Sequence, residues 1–473
     1  YTYTFNLSGT EADAGSERTI DVSSAFTPSI NPPTGDGSQY DLYFNIYDVA
    51  GNHNRTRARE NVIYDATRPT ITAITTTENP TTATKKLGET VDFTVNFSEE
   101  VTADGTMNVT LTSTGTAATA TLTSANIQSS STANVQYTVA TDNESDHLNI
   151  TTIAMATGKF LTDAAGNQMN VFTVSGNNLN AISNFVTDGK IPTITNITSN
   201  SGDPGRFSTG ETVDVRVNFS EPVSLTAGTL DILLETGDTD KTVQIAFADI
   251  DNTLIAVGSY EVEAGHKNTD GLTVKSLSVS GGGIIKDAAL NATSGYAITG
   301  DNLDDSYDFK VETTAPTIGT ITSTEADGSY GIGATIPVVV TFINGVGGSP
   351  EDVNLNSGTF DITMATGSPG AAVTISADWN GSTATGSYVV AEGQASSDLS
   401  VSDLAIGGGG TVTDAYGNNL SDTPAIPGGA NLHHAEEIVI DGTRPTIASI
   451  TSTTADGTYG IDDDINITIT FSE

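Results

Sequence analysis

Three kinds of acid recur along this chain, each in a fixed setting. The first closes an apolar alternation a few residues before a proline: Asp65, Asp188, Glu312 and Asp441. The second follows Phe-Ser at the end of the most regular alternating stretch: Glu99, Glu221 and Glu473. The third opens an Asp-Ala turn: Asp163, Asp287 and Asp414. Carboxylates gathered with backbone carbonyls are what a hard cation takes as ligands, and Ca²⁺ takes about 6–8 oxygens. Left unbridged, the same acids repel one another. The chemistry open to these residues is cation binding, if the fold brings the three kinds together.

The elements that position them follow from a repeat. Pro69, Pro192, Pro316 and Pro445 stand 123, 124 and 129 residues apart, and each is followed by threonine. Spacings this close define a tandem array. Residues 1–65 read as the end of a domain of a somewhat different type. Full repeats follow at 66–188, 189–312 and 313–441, and 442–473 is the first two strands of another. The first residue is Tyr1, not Met, and Glu473 falls partway through a repeat, so the chain reads as a fragment of something longer.

In the first repeat, 70–77 reads as an opening strand and 79–88 as a long turn. Val91 to Phe97 is the most regular strand, with odd positions inward, and it is expected to end at Ser98-Glu99-Glu100. Short strands follow near 107–111, 118–122, 135–139 and 148–150, and a closing strand at 182–186. Val213 to Phe219 and Ile336 to Phe342 repeat the regular strand. Phe97, Phe219 and Phe342 are therefore expected at equivalent buried positions. The third repeat departs at one point, with Ile343-Asn344 in place of Ser-Glu. Short strands punctuated by Gly, Asn, Asp and Ser, with no sustained helical period, predict an antiparallel β-sandwich per repeat. In the leading segment, 19–22, 40–47 and 61–64 read as strands, 31–37 as loop and 48–52 as a turn.

Composition narrows the function. Seventeen basic residues against 58 acidic ones leave a net charge of −41. That surface repels nucleic acid and anionic lipid and attracts cations. The acids are scattered, unlike those of a disordered acidic tail. There are no cysteines, which excludes disulfides, thiolate metal sites and a cysteine nucleophile. No signal peptide is evident, and no apolar run is long enough to span a bilayer.

The Phe-Ser-Glu-(Pro)-Val strand end, the Asp-Ala-x-Gly-Asn turn, the opening Thr453 to Ile461 and the Asp-x-x-x-Pro-Thr-Ile seam together resemble the bacterial and archaeal Ig-like repeats of giant cell-surface proteins: adhesin stalks, surface-layer proteins and cadherin-like arrays. The resemblance covers roughly 66–473. It implies an all-β tandem array of Ig-like antiparallel β-sandwich domains joined end to end. It also implies an extracellular, cell-surface location. With strands of about ten residues, each domain would be roughly 35 Å long, and four in line about 140 Å. An Ig-like topology would gather one acid of each kind at every seam: Asp65 with Glu99 and Asp163, and Asp188 with Glu221 and Asp287. Asp441 and Glu473 would meet at the last seam. Loop acids of the preceding domain, Asp142 and Asp146, or Asp270, would join them. These are candidate Ca²⁺ ligands. Glu312 and Asp414, with Asn344 in place of an acid, make the poorest set, and that seam is expected to loosen first. Against this stands a plainer reading. The turn aspartate caps its own turn, the strand-end glutamate pairs with Arg68 or Arg444, and acids collect at domain ends by number alone.

Other signals lead elsewhere. His433-His434 with Glu436-Glu437 could hold a metal, but neighbours on a strand point to opposite faces. Trp379 beside Asn380-Gly381 reads as a packing residue rather than a sugar platform. The glycine runs 281–283 and 407–410 lack the Lys and helix of a phosphate loop and read as flexible turns. No nucleophile and base recur at matched landmarks, so an enzyme is not expected. Two classes remain. One is a structural segment whose partners are neighbouring copies or other surface proteins. The other is a binding module gripping a carbohydrate or protein through the loops of one repeat. Three near-equivalent repeats favour the first.

Overall fold

Alternation builds each repeat. On the strand Thr90–Ala103, Val91, Phe93, Val95 and Phe97 are buried, while Asp92 and Ser98 face solvent. This is the two-residue period of a half-buried strand. Ile71–Thr75 pairs antiparallel on one side and Ser130–Thr138 on the other. The second sheet runs Ala118–Leu122, Met107–Leu111, Ile150–Met155. The inner rows of both sheets merge into one core that includes Phe93, Val109, Tyr137 and Phe185. The computed structural model describes residues 39–47, 50–63, 65–367, 370–376 and 379–473. The strand at 19–22, the loop at 31–37, residues 48–49 of the turn and Tyr64 lie outside the described residues.

The other two repeats are built the same way. Thr212–Leu225 is flanked by Ile194–Thr198 and Thr253–Glu261, facing Lys241–Ala246, Thr229–Leu234 and Val274–Val279. Thr335–Asn344 is flanked by Pro316–Thr322 and Thr383–Val389, facing Ala371–Ser376, Val353–Met364 and Val401–Thr413. Each repeat has its own core. The chain is thus all-β, a tandem array of Ig-like β-sandwiches. Phe97, Phe219 and Phe342 are 6%, 5% and 0% exposed, at the equivalent positions expected. The chain forms two compact units. One holds the described residues up to Pro192 with Lys286–Ser294, and the other Thr193–Ile285 with Gly295–Glu473. No helix among the described residues is long and apolar enough to cross a membrane.

Four local expectations need correction. The stretch read as a turn at 79–88 contains a strand, Thr82–Lys86, paired parallel with the closing strand Asn184–Asp188. Gly205–Phe207 with Phe309–Glu312, and Gly328–Gly331 with Ile438–Asp441, repeat that parallel pair. The sandwiches are therefore not wholly antiparallel. Secondly, the regular strand does not end at Glu99. It continues to Ala103, with its register against Ser130–Thr138 broken between Asn96 and Val101. Thirdly, the closing strand is preceded by a one-turn helix in each repeat, Leu179–Ile182, Leu303–Ser306 and Leu432–Ala435. His433 and His434 sit in the last of these, not on a strand, with ring centroids 4.0 Å apart. Finally, residues 407–410 belong to the strand Val401–Thr413, where Gly408 and Gly409 take positive φ at a register shift. Trp379 packs against Phe342 at 5.4 Å, as a packing residue should.

One core tyrosine per repeat carries a buried hydrogen bond, and its partner varies. The hydroxyls of Tyr137, Tyr260 and Tyr388 meet Asn143 Oδ1, His266 Nδ1 and Gln394 Oε1 at 2.8, 2.9 and 2.9 Å. The same three atoms accept the backbone N–H of Ala140, Glu263 and Ala391. Because His266 Nδ1 accepts an N–H, it holds no proton, and the ring is neutral. Burial lowers the His266 pKa, Glu263 pulls it up and Lys241 pushes it down, with a net lowering. The unfolded ring titrates near about 6.5. Stability from this site is thus present above that value and lost as pH falls through the lower folded value. Melting curves between pH 7 and 5 should show the second repeat weakening. His266→Asn, which puts the first repeat's group there, should flatten the trend.

Candidate metal centre at the repeat seams

Each seam is tied by the same short set of bonds. The linker acid folds back on its own chain: Asp65 Oδ1 accepts the Thr67 N–H at 3.1 Å, and Asp188 Oδ1 the Lys190 N–H at 3.1 Å. Asp441 Oδ1 accepts from Thr443 and Glu312 Oε1 from Thr314. In the turn, Asp163 Oδ1 accepts the Asn167 N–H and Oδ2 accepts Asn167 Nδ2, both at 2.8 Å. Asn167 Nδ2 also donates to the Asp65 carbonyl at 3.1 Å. Asn291 does the same for Asp287 and Asp188 O, and Asn418 for Asp414 and Glu312 O. One asparagine therefore fixes the turn acid against the seam backbone three times over. The Phe-Ser strand adds a clamp. Ser98 Oγ accepts the Thr70 N–H just past Pro69, and the Ser98 N–H returns a bond to Thr70 O. Ser220 with Thr193, and Ser472 with Thr446, repeat it.

These ties gather carboxylates. Asp65, Glu99 and Asp163 each offer an oxygen, all within 4.8 Å of one another. Glu99 reaches the site because it occupies an inward slot of its strand, at the register break. Asp163 is 6% exposed. Oxygens about 2.3–2.6 Å from a Ca²⁺ ion lie at most about 5 Å apart, so the spacing fits. The donors are all oxygen, as a hard cation requires. Turn capping, the plainer role, is present too, since both oxygens of Asp163 accept from Asn167. A carboxylate oxygen retains further lone pairs for a metal. Arg68 Nη1 donates to Gln168 O, and Arg444 Nε lies 3.6 Å from Glu392.

In the same unit, oxygens of Asp188 and Asp287 lie within 4.8 Å of each other. Burial raises the Asp188 carboxyl above its ordinary value; the Lys190 N–H opposes this, and the charges of Asp287 and Glu144 add to it. Glu221 belongs to the second unit, half-buried at the register break of Thr212–Leu225. Asp142, Asp146 and Asp270 are exposed and enter no group of three potential ligands among the described residues, and neither do Asp441 and Glu473. Glu144, between the two loop acids named from sequence, is the one that faces Asp188 across the strands.

The Glu312 seam differs. Glu312 is 1% exposed, and Lys267 Nζ sits 2.6 Å from its Oε2. Burial alone would raise this carboxyl, but Lys267 and the Thr314 bonds outweigh it and hold the pKa below its ordinary value. Asn344 Nδ2 donates to Glu351 Oε1 at 3.1 Å, and Glu312, Asp414 and Glu351 enter no group of three potential ligands among the described residues. Burial raises the Glu351 carboxyl, Asn344 opposes, and Asp414 and Glu312 add to the rise. The residues that sequence reasoning missed are thus Asn167, Asn291, Asn418, Glu144, Lys267 and Glu351. The asparagines were visible as the last letter of the repeated turn.

Asn418→Ala removes the bond to Glu312 O and leaves that carbonyl and Asp414 Oδ2 underpaired. A buried group left unsatisfied costs about 1–3 kcal/mol. Urea titration should show a loss of about that size in the third repeat.

No protein-family model matches the chain, and no curated protein matches it in sequence. Among solved structures, the ICAM-5 D1–D4 ectodomain fragment is 15% identical over 80% of both chains, with a TM-score of 0.26. The S-layer protein rSbsC(31-844) is 15% identical over 86% of this chain and 63% of its own, with a TM-score of 0.14. The extracellular region of plexin A4 is 13% identical over 86% of this chain and 29% of its own, with a TM-score of 0.16. Likenesses this distant say nothing of function; the Ig-like array rests on the strand order and cores of the chain itself.

Proposed function

We propose that this chain is a non-catalytic structural segment of an extracellular protein, a stalk, filament or surface-layer array whose repeat seams are stiffened by Ca²⁺. The observation that carries the reading is the grouping of Asp65, Glu99 and Asp163 within 4.8 Å at a seam whose backbone is already tied by Asn167. Three carboxylates so close repel one another unless a cation lies among them. Extracellular modules bind Ca²⁺ with dissociation constants of about 10⁻⁴–10⁻³ M, which suits a site with few protein ligands completed by water. The same asparagine bond to the linker backbone recurs at successive seams, as a repeated structural spacer would require. Its partners would be neighbouring copies or other surface proteins. Calorimetric melting of the whole chain in millimolar CaCl₂ and in chelator tests the proposal. Identical curves would contradict it.

A further inference from the structure

One strand position lies opposite every linker acid described at a seam with a preceding repeat. Glu144 is paired with Asp188, Lys267 with Glu312 and Ala395 with Asp441. Directly opposed side chains on neighbouring strands have Cβ atoms about 4.5–5.5 Å apart, so the residue there sets the local charge. At Asp188 it adds a fourth kind of acid. At Glu312 it brings an ammonium to 2.6 Å from Oε2.

The surroundings of Lys267 call for a positive charge. Glu312 is 1% exposed and Asp414 5% exposed. Glu351 Oε2 is buried and has no hydrogen-bond partner. Two buried acids and a third with an unpaired oxygen would be costly with nothing positive beside them. We propose that Lys267 is the resident cation of the Glu312 seam, so that this seam keeps its geometry without any metal ion. An ammonium is a compact charge with three donors and can serve an acid at short range. The contrast with the Asp188 seam rests on the calcium reading above; the role of Lys267 itself does not. On this proposal the order expected from sequence would reverse: the Glu312 seam, whose ligand set reads as the poorest, is the one that chelation should leave intact.

Hydrogen exchange with mass spectrometry on the full chain tests this. The peptides to follow span 309–317, which contains the Thr314 N–H bonded to Glu312, and 184–192, which contains Asp188. Wild type, Lys267→Met and Lys267→Arg are compared in CaCl₂ and in chelator. In wild type, exchange in 309–317 should be the same in both. Lys267→Met should speed it at least about tenfold, since an acid left buried and unpaired is strongly destabilising, and Lys267→Arg should restore it. If chelator releases 309–317 in wild type, a metal and not Lys267 holds the seam, and the proposal fails. It also fails if Lys267→Met leaves exchange unchanged. If chelator changes neither peptide while Lys267→Met releases 309–317, the resident cation stands and the calcium reading of the other seams falls.

Discussion

Phe342→Ala is expected to destabilise the third repeat by about 3–5 kcal/mol, the usual cost of emptying a buried aromatic site. Phe342 is 0% exposed on the central strand Thr335–Asn344. Its ring lies 5.7 Å from Phe360, edge-on, and 5.4 Å from Trp379. Aromatic pairs of this kind add about 0.5–1.5 kcal/mol beyond their buried area. The first repeat has a core of its own, with Phe97 at the matching place. Arrays of this kind couple through nearest neighbours, so the loss should stay local and graded. The chain has one tryptophan, and it sits against Phe342, so its fluorescence reports on this repeat alone. In urea, the tryptophan midpoint should fall while the transition of the first repeat, followed by hydrogen exchange, holds. An equal fall in both would mean that the repeats are not separate folding units.

Removing the Ca²⁺ proposed for the seams is the second large effect expected. In CaCl₂ at about 10 mM, roughly 10–100 times a dissociation constant of about 10⁻³–10⁻⁴ M, a ligand bound only to the folded state adds about 1.4–2.7 kcal/mol per site. Chelation should therefore lower the melting temperature of the first repeat by several degrees, for an assumed site at Asp65, Glu99 and Asp163. Asp65→Asn is the matched control. It keeps an oxygen for the Thr67 N–H and removes only the charge. The variant should fold, melt near the chelated wild type and no longer respond to CaCl₂. If Asp65→Asn and wild type respond alike, the ion is bound elsewhere. If neither responds, these acids hold no ion, and the seams are held by Asn167, Ser98 and the proline entry alone.

The sandwich was legible because its inner rows are apolar and strictly alternating, as in Val91 to Phe97. Thr82–Lys86 was not, because it has no apolar row and joins the fold through backbone bonds to Asn184–Asp188. Glu99 was misread as a strand end for a related reason. The inward row runs Val95, Phe97, Glu99, Val101, Ala103, and the acid in that row looks like a stop, though the strand passes through it. The seam acids could be listed from the repeat, yet their neighbours could not. Glu351 lies seven residues beyond Asn344, to which it is bonded, and Lys267 reaches Glu312 only through a strand register that no local pattern announces.

Small-angle scattering of the whole chain, in CaCl₂ and in chelator, is the most direct test of cation-stiffened seams. Repeats held end to end by bound ions should give a maximum dimension of about 140 Å, from strands of about ten residues at ~3.4 Å each. Chelator should broaden the distance distribution and shorten that maximum, with the Asp65→Asn variant partway there before chelation. A distribution that is identical in both buffers, or one that is compact in CaCl₂, would contradict it.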